Sequence, residues 1–141
     1  MKKLFCLVLA LVLCVSLVAC GKATLADLLE CPAGSSTEEL QKFLKDCGYK
    51  IEDADAQKVI FNHGEWRGMA TPLAISLSIG LNPDEATVEA MRDEIQAICG
   101  DPYSSNATME FYTDGNSVIV YSVNSGIMNS ADVVIYPGAA G

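Results

Sequence analysis

The chain is short of the residues that usually carry chemistry. Among its 141 residues there is one histidine, His63, and one tryptophan, Trp66. No G-x-S-x-G, H-E-x-x-H or phosphate-cradling glycine run is present, so the commonest signatures of serine hydrolases, zinc proteases and nucleotide enzymes are missing. No two of its six cysteines have the C-x-x-C spacing of a redox or zinc motif. Positive charge is scarce as well: nine Lys and Arg stand against eighteen Asp and Glu. After Arg67 the only base is Arg92, which faces nine acids between Asp84 and Asp132. Such a surface repels phosphate, which excludes nucleic acid and anionic head groups as partners; the acidity serves solubility.

What the sequence does have is concentrated at its start. Lys2 and Lys3 precede an apolar run from Leu4 to Val18. The run has the length of a signal-peptide core and is short for a membrane span, which needs about 20 apolar residues. It ends in Leu17-Val18-Ala19-Cys20-Gly21, which resembles the lipobox of bacterial lipoproteins. The resemblance implies removal of residues 1–19, lipidation of Cys20 with a diacylglyceryl group, and residence on the extracytoplasmic face of the cell membrane. Two or more acyl chains hold a protein stably where one does not. Loss of Lys2 and Lys3 would leave seven basic residues against eighteen acidic ones, a net charge of −11 on a chain of residues 20–141. That length fits one domain with its own core.

Residues 20–36 read as the lipidated cysteine and a tether, with a short helix over Leu25–Glu30 and a Cys31-Pro32-Ala33-Gly34 loop. A helix over 37–47 follows: Ser36 and Glu39 form a capping box, Leu40, Phe43, Leu44 and Cys47 share a face, and Gly48 stops it. Tyr49 to Ala56 reads as an acidic loop. Lys58–Phe61 is a strand, Asn62-His63-Gly64 a turn, and Trp66–Met69 the return. Pro72 interrupts before a strand over Leu73–Ile79, whose alternation is that of a half-buried sheet. Asn82 caps a second helix over 83–98 with Pro83 in its first turn. Strands over 108–113, 117–123 and 131–136 follow, the first two joined at Asp114-Gly115 in a type I′ turn. Residues 137–141 read as a tail. The expected fold is α+β: an antiparallel sheet of about four to five strands with two amphipathic helices, about 37–47 and 83–98, on one face of a single domain over 37–136. A shift of 52 residues places Cys47-Gly48 on Cys99-Gly100 and the 62–64 turn on 114–116, which reads either as a weak internal repeat or as chance recurrence of helix-stop and hairpin-turn residues. The element order is similar to that of small lipoproteins of Gram-positive bacteria, which implies an envelope role and no particular chemistry.

His63, Trp66 and Arg67 form a candidate partner-binding tip at the first hairpin, since Trp and Arg are common interface anchors; the competing reading buries Trp66 in the core. Cys31, Cys47 and Cys99 follow apolar helical stretches, so they read as packed thiols, with a Cys47–Cys99 bridge as the alternative. Glu52-Asp53-Ala54-Asp55 lacks the remaining ligands and glycine of an EF-hand loop. No catalytic residue, metal site or cofactor is expected. The expected role is non-enzymatic: binding of a protein partner or small ligand near the membrane. The alternatives are an accessory or inhibitory module of a larger envelope complex, or a small hydrolase.

Overall fold

The computed structural model describes residues 23–125 and 129–140. The expected leader and the lipidation candidate Cys20 lie outside the described residues. Among those described, no helix is long and apolar enough to cross a membrane.

Helix α1 (Leu25–Leu29) opens with a capping box between Thr24 and Asp27. Helix α2 (Thr37–Cys47) starts on Ser36, whose hydroxyl accepts the Glu39 N–H, and ends on Gly48 at φ 99°. Four strands follow, β1 (Ile51–Ala54), β2 (Val59–His63), β3 (Trp66–Ala70) and β4 (Ile75–Ile79). Helix α3 (Glu85–Cys99) leads to four more, β5 (Ser104–Ser105), β6 (Met109–Thr113), β7 (Val118–Asn124) and β8 (Ser130–Tyr136). All pair antiparallel in one sheet of order β1-β2-β3-β4-β8-β7-β6-β5. The order is a palindrome about the β4–β8 seam: each half is a helix followed by a four-strand meander.

Among the described residues the sheet thus has eight strands, not four to five, and three helices lie on it: the two expected amphipathic ones and the short helix expected near Leu25–Glu30, within the α+β class. Two of the strands that raise the number are the edges. β1 carries Glu52 and Asp53 and is largely exposed, and β5 is two exposed serines, so neither shows the alternation that marks a half-buried strand. Pro72 does not interrupt a strand. It sits in the turn between β3 and β4, closed by the Thr71 N–H on the Ala74 carbonyl. Leu73, expected on the inner face of that strand, is therefore 84% exposed. Asn82 does not cap the second helix: Asp84 is its first flanking residue, and Asn82 instead exchanges hydrogen bonds with Asn129. The β6–β7 turn is not type I′, because only Gly115 has positive φ; the Asp114 carboxylate accepts the Asn116 and Ser117 N–H groups.

One buried cluster runs through both halves. Leu25, Leu28, Leu40 and Leu44 from the first two helices and Met91 and Ile95 from α3 meet Phe61, Leu77, Tyr112, Ile119, Val133 and Ile135 from the sheet. All three helices therefore cover the same face. Leu25, Leu28, Leu29 and Cys31 are nearly or wholly buried. That corrects the tether reading of 20–36, because a segment with four core side chains is part of the domain. The 137–141 tail is docked in part too: the Ala140 N–H donates to the Asn116 carbonyl. Cys31, Cys47 and Cys99 are free thiols. Burial is the first cause that pushes each of them up, so they stay protonated.

Candidate functional site

The β2–β3 hairpin turns through Gly64-Glu65, with His63 and Trp66 as facing partners. Of the two turn residues only Gly64 has positive φ, the pattern of a type II′ turn. Facing residues of an antiparallel pair share a side of the sheet, so His63 and Trp66 both point under the helices. Arg67, one residue on, points to the opposite side and is exposed. The three residues of the expected tip are thus split. Trp66 is 4% exposed and packs in the core, while His63 lies in a cleft.

That cleft has a volume of about 560 Å³. Its walls are the start of the described chain (Ala23, Thr24), the α2–β1 connection (Tyr49, Lys50), the hairpin, and one face of α3 (Thr87, Ala90, Met91, Glu94). Its polar end is built around His63. The Tyr49 hydroxyl lies 2.8 Å from His63 Nδ1 and also reaches the Thr24 carbonyl at 3.2 Å. A phenol has one proton, so it donates to one of these; with the proton on Thr24, the Nδ1–H donates to the phenol oxygen. On the other side of the ring, Nε2 is 3.9 Å from Glu94 Oε2, an ion-pair distance too long for a direct hydrogen bond. The second Glu94 oxygen accepts the Leu25 N–H at 3.0 Å. His63 holds the Glu94 carboxyl below its ordinary range, with the Leu25 N–H adding to the effect and partial burial opposing it. Burial, ahead of the nearby carboxylates Asp27 and Glu94, pushes the Tyr49 phenol up, so it stays neutral. At the mouth, the Thr87 hydroxyl donates to Glu65 Oε2 and ties α3 to the hairpin.

Tyr49 and Glu94 are the residues that sequence reasoning missed. Glu94 is next to Ile95 on the expected apolar stripe of α3, so it sits at the edge of the buried face. Tyr49 follows the helix stop at Gly48 and looked like the start of an acidic loop.

Both nitrogens of His63 face fixed groups, and Glu94 is committed on one side to the backbone. The cleft's remaining groups are Glu94 Oε2, the Glu65 carboxylate, Ala90 and the narrow uncovered edges of the otherwise buried Trp66 and Met91. Lys50 stands at the rim.

The other polar cluster uses the late base. Arg92 Nε lies 2.8 Å from Glu110 Oε1, without the alignment of a hydrogen bond, and its guanidinium sits 5.3 Å from the Tyr121 ring centre. Tyr112 donates to Glu110 at 2.7 Å, and burial first, then that bond, pushes its phenol up to about 12. Arg92 is thus occupied internally. Among the described residues no group of three His, Cys, Asp or Glu side chains could hold a metal ion. No known protein family, curated protein or solved structure matches this chain.

Proposed function

We propose that this protein is a lipid-anchored, extracytoplasmic, non-enzymatic binding protein that holds a small amine-bearing ligand in the His63–Glu94 cleft beside the membrane. The observation that carries the reading is the position of the cleft in the chain. Ala23 and Thr24 form one of its walls, and Ala23 is only three residues past Cys20. Three residues span at most about 10 Å, so a lipid on Cys20 would hold the cleft at the bilayer surface. The ligand class follows from the open groups. Two carboxylates beside an apolar floor suit an ammonium on a short hydrocarbon body, and the net charge of the chain favours a cation.

Trp66 is the sole tryptophan and lines the cleft, so its emission reports occupancy. Titration of the mature chain with octylammonium is expected to change Trp66 emission saturably, with octanoate inert. Glu94→Gln, which can still accept the Leu25 N–H, should weaken the amine at least about fivefold, or roughly 1 kcal/mol. Equal responses to amine and carboxylate, or an unaffected Glu94→Gln, would sink the ligand assignment. Cys20→Ser is expected to lose its lipid label and membrane retention; normal retention would sink the anchor.

A further inference from the structure

Among the described residues the helices cover one side of the sheet and none packs on the other, where Met69 is 40% exposed and Ile60 is largely screened by its neighbours. On that open side, paired residues line up in rows across the strands. One row reads Ile60, Met69, Ser76, Val134, Val120, Phe111 from β2 to β6. The next row towards the cleft end contains Arg67, Ser78 and Asp132 on β3, β4 and β8. Among the outward-facing residues of the six inner strands, β2–β4 and β6–β8, Arg67 and Asp132 are the only charged ones. The face is thus neutral on a strongly acidic chain. Depletion of charge around apolar and aromatic groups marks the centre of a protein interface rather than a solvated surface.

We infer that this open face pairs with the same face of a second copy, forming a two-sheet sandwich whose two-fold axis runs along β4. The two charges choose that axis. They lie in one row on either side of β4, each about 4.8 Å from it. A two-fold along β4 sets Arg67 of each copy over Asp132 of the other and makes two identical ion pairs. The same operation sets Met69 over Val134 and Ile60 over Val120, with the small Ser76 and Ser78 on the axis. Moving the axis to the β4–β8 seam would set Arg67 over Ser122 and Asp132 over Ser78 and leave both charges unpaired. Two twisted sheets pack face to face with strands aligned within about 30° and about 10 Å between them, which this axis allows. Partial burial already pushes the Asp132 carboxyl up with no compensating charge beside it, as expected of a group that gains its counter-ion on assembly.

The axis also agrees with the anchor, and this step rests on the lipidation reading above. A two-fold parallel to the strands keeps the cleft ends of both copies pointing the same way, so both Cys20 lipids can enter one bilayer. A two-fold across the strands would point them apart.

The test is the oligomeric state of the full mature chain in detergent, by sedimentation equilibrium and native mass spectrometry. A dimer is expected. Val120→Lys, which is outward-facing and leaves the core untouched, should give monomer. Arg67→Asp and Asp132→Arg should each weaken the dimer at least tenfold, and the double swap should restore it; a heterologous partner would not be rescued by a swap within one chain. Ser78→Cys lies on the axis, so a short bifunctional methanethiosulfonate should link it to its mate well above the level seen in the parent chain. Monomer at all accessible concentrations, equal assembly of Val120→Lys, or no rescue by the double swap would overturn the inference. A swap that rescues without Ser78→Cys linkage would overturn this axis. If Cys20→Ser shows that the chain is not anchored, these soluble readouts are unaffected, so the two readings fail separately.

Discussion

Phe61 and Gly68 face each other across β2 and β3, and the phenyl ring covers the glycine so closely that an added Cβ would fall inside the ring's surface. Phe61 is fully buried and held by Tyr49, whose ring packs edge-on at 5.0 Å, so it has nowhere to move. Gly68→Ala is therefore expected to destabilise by about 1–3 kcal/mol, the usual cost of overpacking. Its urea midpoint should fall, and Phe61→Leu in the same chain should recover part of the loss. A neutral Gly68→Ala would contradict the packing described. Nothing in the sequence marks this glycine, because its role is set by a residue seven positions away across a strand pair. Glu94 gives the second prediction at this scale. Its carboxyl is held below its ordinary value of 4.5, first by His63 and then by the Leu25 N–H. A depressed carboxyl stabilises the fold above its unfolded value, and the gain disappears as pH falls through the folded value. The stability difference between the parent and Glu94→Gln should thus be constant near neutrality and shrink below about pH 4.5. A difference that persisted unchanged at pH 3 would remove the carboxylate from the account.

The two long helices begin differently, and the difference is measurable. Ser36 accepts the Glu39 N–H, whereas Asp84 makes no side-chain capping bond. Ser36→Ala should cost about 1 kcal/mol, and Asp84→Ala should lose only its interaction with the helix dipole, about 0.3–1 kcal/mol. Thermal or urea denaturation of both variants checks the order; equal costs would mean the Ser36 bond carries nothing. The first helix was legible because capping, period and stop all agree over 36–48. At the second, Asn82-Pro83 carried the signals of a helix start, but Leu81 and Asn82 adopt positive φ to reach Asn129. A tertiary contact thus moved the start two residues on. Edge strands β1 and β5 were illegible for another reason. They are defined by backbone pairing with a neighbour, and exposed polar side chains leave no periodic trace of it. In the cleft, His63 was legible as a rare residue in a turn. Tyr49 and Glu94 were not, because they meet it only once α2, the hairpin and α3 are packed.

At the scale of the molecule, the two halves are each a local meander, and the sheet joins them only at β4–β8. Two such meanders can unfold separately or as one. Here the core decides for one unit. Ile135 of β8 is fully buried with Ile75 of β4 on one side and Ile119 of β7 on the other. Helix α3 belongs by sequence to the second half, yet its Glu94 holds the Leu25 N–H and its Thr87 holds Glu65, both in the first. Cutting the seam should therefore weaken everything. Ile135→Ala is expected to cost about 2–5 kcal/mol, the range for emptying a buried isoleucine site. The loss should appear equally in hydrogen-exchange protection of Phe61 and Gly68 in the first half and of Ile119 and Tyr121 in the second. Trp66 emission, a first-half probe, should report the same shifted midpoint as the far-ultraviolet circular dichroism of the whole chain. Protection retained at β2–β3 while β7 opens would show two independent units. In that case the cleft, which draws its walls from both halves, would come apart before the first-half core does.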